Sequence, residues 1–216
     1  MTFYDRPVAA QTRRLGRPPA SSSAETRGRI IDVARRSFGD RGYEATTNRM
    51  VADEAGITTG AIYYYFDSKL DIYKAVHHEV QERVYHLFTT AERGAETFVD
   101  KIEAVYEAAH DLNRSDASLA RFLGSARIDR RRVAELSEAL GESDARSEGF
   151  FEAIVDRGVE TGEVRAVDGV PMLRFIGAFS IGLTDGLSGD DREHRQALDG
   201  FLSVLRGYVR STRQTG

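Results

Sequence analysis

The stretch Ala45-Thr46-Thr47-Asn48-Arg49-Met50-Val51-Ala52-Asp53-Glu54-Ala55-Gly56-Ile57-Thr58-Thr59-Gly60-Ala61-Ile62-Tyr63-Tyr64-Tyr65-Phe66-Asp67-Ser68-Lys69 decides the fold. It carries hydroxyl residues where helices can begin. A Ser or Thr just before a helix accepts a hydrogen bond from a first-turn N–H that has no partner within the helix. Thr46 or Thr47 opens one helix, with Met50, Val51 and Ala55 on its inner face. Gly56 permits a tight turn. Thr58 opens a second, short helix that ends near Tyr65, and Ile57 and Ile62 flank its cap at hydrophobic-staple spacing. Ser68-Lys69-Leu70-Asp71 reads as a capping box that starts a longer helix. Two short helices joined through a glycine turn describe a helix-turn-helix. In that motif the first helix braces against the DNA backbone and the second lies in the major groove.

Working outward, Ile30, Val33, Ala34 and Phe38 share one face of a helix expected over 24–41, with Gly42 placed to end it. Arg35 and Arg36 read as a solvated face of that helix. Before it, residues 1–23 read as a disordered basic arm, because Pro7, Gly16, Pro18, Pro19 and Ser21-Ser22-Ser23 oppose regular structure. After the motif, Leu70, Tyr73, Val76, Val80, Val84 and Leu87 form an apolar stripe that should stop near Gly94. Further helical stripes begin at Phe98, Leu119, Phe150, Pro171 and Leu198, and Gly162 is placed to end the third of these. No run alternates with period two. The expected fold is all-α: a three-helix helix-turn-helix head over 24–69, then a larger helical bundle over 70–216.

Composition narrows the functions available. The 216 residues contain no cysteine, which excludes disulfides, thiolate metal sites and cysteine nucleophiles. The first ten residues hold Asp5, Arg6 and Pro7 and no apolar run, so no secretory leader is expected. No stretch reads as a bilayer span, so no membrane partner and a cytoplasmic location are expected. The net charge of −4 is uneven: residues 1–70 carry 11 Lys/Arg and 8 Asp/Glu, and the remainder carries 19 and 26. A basic head on an acidic body is the asymmetry expected when only the head meets phosphate. No serine stands in a nucleophile elbow and no glycine-rich loop follows a strand, so no enzymatic chemistry is expected. His77, His78, His86, His110 and His194 lack carboxylates at ligand spacing, so neither a metal nor another cofactor is expected.

Phe38, Gly42-Tyr43, Ala45-Thr46-Thr47, Val51-Ala52, Ala55-Gly56-Ile57-Thr58, Gly60, Ile62-Tyr63, Tyr65-Phe66 and Ser68-Lys69 occur in order and without a gap. This string resembles the signature of the TetR family of bacterial transcriptional regulators, over roughly 30–76. The resemblance implies binding of double-stranded operator DNA. Thr47 and Arg49 would reach phosphates or a groove edge from the bracing helix. Thr58, Thr59, Gly60 and Ala61 would lead the reading helix, with Gly60 and Ala61 small enough for close approach. Tyr63 and Tyr64 would meet phosphates or thymine methyls, and Lys69 would donate to a phosphate. Many relatives carry lysine in place of Thr59 and histidine in place of Tyr64. A threonine cannot make the two-pronged contact that lysine or arginine makes to guanine, so reading is expected to lean on Arg49 or the arm. Ile62, Tyr65, Phe66 and Phe38 are expected in the core.

In the arm, Gly16-Arg17-Pro18 resembles part of an AT-hook, with Leu15 in place of its first arginine. Arg17 could enter a narrow A·T minor groove, or the arm could bind as an unspecific basic tail. The resemblance also implies a homodimer through the last two helices, and hence a palindromic operator. Gly177, Ala178, Gly182 and Gly186 fall near one face of the first of that pair. A small-molecule effector pocket is implied as well. Phe88, Tyr106, His110, Phe122, Phe151, Phe175 and Phe179 are its candidate walls, with Asn113 or Asp185 for polarity. Their aromatic richness suits a hydrophobic or aromatic effector, whose release of the DNA would make the protein a repressor.

Overall fold

The computed structural model describes residues 20–140, 143–187 and 190–215. Among them are ten helices and no strand: α1 Ala20–Ala45, α2 Asn48–Ala55, α3 Thr59–Tyr65, α4 Lys69–Glu92, α5 Phe98–Ser115, α6 Ala117–Arg132, α7 Ala134–Leu140, α8 Ser143–Glu160, α9 Gly169–Gly186 and α10 Asp191–Thr215. A short 3-10 turn, Ala166–Asp168, leads into α9. The all-α expectation and the order of its helices hold.

The helix starts follow capping chemistry. Thr47 Oγ1 accepts from Met50 N–H and Thr58 Oγ1 accepts from Ala61 N–H. Thr46 takes a different role: its buried hydroxyl donates to the Gly42 and Ser37 carbonyls. Ser68 accepts from Asp71 N–H, but the reciprocal half of the box is replaced, since the Ser68 hydroxyl also donates to the Asp71 carboxylate at 2.8 Å.

Three expectations near the first helix need correction. The helix begins at Ala20, so Ser21, Ser22 and Ser23 belong to its opening turns rather than to the arm. Gly42 kinks the helix with φ 81° and ψ 172°, a conformation outside the left-handed helical well and one that a side chain strongly disfavours. Arg35 is buried, not solvated: its guanidinium pairs with Asp32 at 3.2 Å and with Asp116, at the start of α6, at 3.1 Å. Arg36 stays on the surface, 3.8 Å from Glu54.

Packing joins the head to the body. Ile30, Ala34, Phe38, Val51, Ile62, Phe66, Tyr73 and Val76 share one continuous core with Leu119, Phe122, Ala126 and Leu136. Tyr73 sits at its centre, 4.8 Å from the Phe38 ring, 5.1 Å from Tyr43 and 5.3 Å from Phe122. Aromatic contacts of this kind add roughly 0.5–1.5 kcal/mol each beyond burial. The head therefore rests on α6 through α1, which also carries α2. Close approach is possible because a Cβ on Gly39 would come within 3.1 Å of the Phe122 backbone nitrogen. A second core, from α5, α8, α9 and α10, is built on Phe98, Ile102, Tyr106, Ile154, Ile176, Leu198 and Phe201.

One expectation about bilayer length also changes. Ala166–Gly186 has a mean hydropathy of 1.4 and is long and apolar enough to cross a membrane by length and composition. Only 17% of that window is buried within the chain, so α9 presents an apolar face outward.

Candidate functional site

Thr58 caps α3, and its opening turn of Thr59, Gly60 and Ala61 lies at the surface. Tyr63 and Tyr64 project from α3 with 55% and 67% of their surfaces exposed. Ile62 and Phe66 are buried beneath them, which separates a packing face from an outward face. Asn48 Nδ2 donates to the Tyr63 hydroxyl at 3.5 Å, tying the bracing helix to the reading helix. Thr47 and Arg49 are exposed, and Arg49 stands 3.8 Å from Asp53. The structure thus gathers Thr47, Arg49, Thr58, Thr59, Gly60, Ala61, Tyr63 and Tyr64 on α2 and α3. Arg17 lies outside the described residues.

Lys69 has a role that its sequence neighbours do not reveal. Its ammonium donates to the Tyr43 carbonyl at 2.8 Å and the Thr46 carbonyl at 3.1 Å, and stands 4.2 Å from the centre of the Tyr43 ring. Within the chain, this charge holds the end of α1 in place. Those carbonyls lie 23 to 26 residues away in the chain, so no local spacing reveals the contact.

The electrostatics of the head also shift. Residues 20–70 carry seven Lys/Arg and seven Asp/Glu, while residues 1–19 carry four Arg and one Asp. The positive charge read from the sequence therefore belongs to the arm rather than to the folded helices.

A cavity of about 680 Å³ opens among α4, α5, α6, α8 and α9. Of the residues expected there, Phe88, Tyr106, Asn113 and Phe151 line it. The others are placed elsewhere. Phe122 is fully buried in the head-to-body core. His110 lies behind the wall, stacked on His194 with ring centres 5.0 Å apart. Phe179 stacks on Phe201 at 3.9 Å, and Phe175 is exposed, 5.3 Å from Phe201. Asp185 is not part of the lining but pairs with Arg127, which is. Reading the sequence for aromatic residues missed the polar and aliphatic wall: His77, Gln81, Leu119, Leu123, Ser180, Thr184 and His194. A signal did exist, since His77, Gln81, Val84 and Phe88 recur at helical spacing along one face of α4.

The wall is partly prearranged. Tyr106 shares a 2.5 Å hydrogen bond with Ser180 and donates to the Ile176 carbonyl at 3.2 Å. Burial holds its phenol well above the ordinary tyrosine value, so it stays protonated. Burial and the neighbouring His110 lower the basicity of His194. Among the described residues, no group of three or more His, Asp or Glu is arranged to hold a metal ion.

The α6 helix faces both regions. Leu119, Leu123 and Ala126 line the cavity, and on the same helix Ser125 donates to the Phe38 carbonyl and Arg121 to Asp40. The Asp116 carboxylate that caps α6 meets Arg35 from α1 and Arg83 from α4.

Residues 30–76 match the model of the bacterial regulatory proteins of the tetR family. This part of the chain is thus similar to that family. The chain is 46% identical over 55 residues to the transcriptional repressor KstR2 of Rhodococcus jostii, covering 24% of this chain and 27% of that protein. It is 33% identical over 112 residues to the transcriptional activator FasR of Mycolicibacterium smegmatis, covering 50% of this chain and 48% of that protein. The chain thus spans less than half the length of these curated relatives. Its fold is similar to that of the transcriptional regulator FadR from Bacillus subtilis, solved in complex with stearoyl-CoA. That likeness has a TM-score of 0.67 at 20% identity and covers 86% of this chain and 96% of that one.

Proposed function

We propose that this chain is a transcriptional repressor that binds a palindromic operator as a homodimer and leaves it when a small hydrophobic or aromatic effector fills the cavity. One observation carries the reading: α6 forms a wall of the 680 Å³ cavity and is also packed into the core of the helix-turn-helix. An effector that binds one position of α6 better than another shifts the position of the reading helix by the same free energy. The cavity falls within the usual size of small-molecule sites and is mainly apolar, with a few polar groups. The complex of FadR with stearoyl-CoA, in a protein of similar fold, supports a small-molecule effector.

DNA is met by α3, with Thr59, Gly60 and Ala61 at the base edges and Tyr63 and Tyr64 on phosphates or thymine methyls. Thr47 and Arg49 reach the backbone from α2. Dimerisation uses α9 and α10. Val170, Phe175, Ile181 and Val204 are exposed there, and Gly177 and Gly182 have open space where a side chain would stand. An outward apolar face of this size is otherwise a solubility cost, and a partner copy accounts for α9 without a bilayer. The protein works in the cytoplasm, without a cofactor and without catalysis.

Selection of bound sequences from random duplexes tests the reading. Recovery of a two-fold symmetric site is expected, and enrichment of no sequence at low salt refutes it. A second reading, as an activator, is favoured by the function named for FasR. Transcript levels in a deletion strain separate the two: target genes rise if the protein represses and fall if it activates.

A further inference from the structure

We propose that Asn113 and His194 form the polar end of the effector cavity and select an apolar molecule that carries an uncharged hydroxyl group. The inference rests on the reading of the cavity as the effector site.

Asn113, on α5, lines the cavity with 7% of its surface exposed. Its Oδ1 is fully buried without a hydrogen-bond partner, and no described residue bonds its Nδ2. Buried amides are almost always satisfied, so an unsatisfied one on a cavity wall points to a missing partner. His194 lines the same cavity with 4% exposed. Its Nδ1 is engaged by His110 Nδ1 at 3.0 Å. That spacing is a hydrogen bond between two rings, so one nitrogen carries the proton and the other a lone pair. Asp191 Oδ1 lies 3.5 Å from His110 Nε2 and favours a proton there. His110 Nδ1 is then bare and accepts from His194 Nδ1–H. This leaves a lone pair on His194 Nε2, the ring nitrogen free to meet a ligand. The 5.0 Å ring stack holds the orientation.

Asn113 follows His110 by three residues on one face of α5, and Asn113 and His194 line the same cavity. A hydroxyl group matches both partners at once. It donates its proton to His194 Nε2 and accepts from the Asn113 amide. The rest of the molecule meets Val84, Phe88, Leu119, Leu123 and Phe151. The wall also carries Arg127, Arg130 and Arg174 against Asp116 and Glu152, with Arg127 paired to Asp185, so the 2-naphthoate arm of the test below decides whether an anion is preferred. The lowered basicity of His194 keeps its ring neutral near pH 7.

Displacement of Nile red, a neutral apolar dye, from the full-length protein tests the proposal at pH 7.5. The competitors are 2-naphthol, 2-methoxynaphthalene, 2-methylnaphthalene and 2-naphthoate. The first should displace the dye at concentrations at least about tenfold lower than its methyl and methoxy analogues. Asn113→Leu and His194→Phe should bring that ratio to within about twofold. If the wild-type protein binds Nile red but shows no hydroxyl preference, or prefers 2-naphthoate, the proposal is overturned and the cavity reading survives. A preference that persists in both variants overturns it too. Failure of the wild-type protein to bind Nile red at all sinks the cavity reading and this inference with it. The wild-type series alone decides if a variant loses its helical circular dichroism.

Discussion

The backbone N–H of Tyr43 donates to Asp129 Oδ2 across 2.9 Å, joining residues 86 positions apart in a buried site. Tyr43 follows the Gly42 kink of α1, and Asp129 lies near the end of α6. The same carboxylate accepts from the Tyr73 and Ser125 hydroxyls, each at 3.3 Å. Burial, followed by the charge of Asp129, keeps the Tyr73 phenol protonated and able to donate. Removing Asp129 leaves buried donors without partners. Asp129→Ala should cost about 1–3 kcal/mol of stability, and Asp129→Asn should cost less because one acceptor remains. Thermal melts of both variants check the order, and an equal loss in both would contradict it.

Lys69 separates a structural role from a DNA role. Lys69→Met should lower stability by about 1–2 kcal/mol, since the ammonium holds the Tyr43 and Thr46 carbonyls. The slope of log affinity against log salt should stay unchanged. A phosphate contact would instead reduce that slope by about one. Operator titrations at three salt concentrations distinguish the outcomes.

Removal of residues 1–19 should act in the opposite manner. The folded helices should melt unchanged, while the salt slope falls by about three, reflecting the loss of four arginines. Arg49→Ala, on an exposed side chain, should leave stability within about 0.5 kcal/mol and weaken operator binding roughly tenfold. A slope unaffected by the deletion would remove the arm from DNA binding.

The pH dependence of stability should carry the mark of His194. Its folded-state basicity is lowered by burial and by His110, while Asp191 acts the other way and Arg195 reinforces the lowering. Below the unfolded value of about 6.5 the unfolded chain takes up the proton more readily than the folded one. Stability is therefore complete above that pH and declines as the pH falls through it. His194→Gln should flatten the decline in denaturant midpoints measured from pH 8 to pH 5. An equally steep decline in the variant would assign it to other groups.

Gly182 offers a test of the dimer that spares the monomer. A side chain there meets nothing within 4 Å in the single chain. Gly182→Leu should raise the helix propensity of α9 by about 0.5–1 kcal/mol. In a close-packed dimer it should block helix approach and yield monomers that no longer bind the operator. Sedimentation velocity provides the readout, and an unchanged dimer would move the interface off this face.

How much was legible in the sequence follows from the range over which each cause acts. Thr47, Gly56, Thr58 and Ser68 set the helix-turn-helix through bonds within a few residues, so their spacing alone determined the motif and its outward turn. Periodicity likewise determined the all-α class and the order of the helices, because burial repeats with the helical turn. The tertiary structure alone decided which aromatic side chains face the cavity. Phe88 and Phe151 do, while Phe122 and Phe179 serve packing, and helical spacing cannot tell one apolar neighbour from another. It alone turned Arg35 and Lys69 inward, since their partners at Asp116 and at the end of α1 come from distant segments. Long-range pairing also set His194 against His110, 84 residues apart, and left Asn113 Oδ1 on the same cavity wall without a partner. Hydrogen-bond partners of buried charges and amides depend on where whole helices come to rest, and that position is a property of the packed chain.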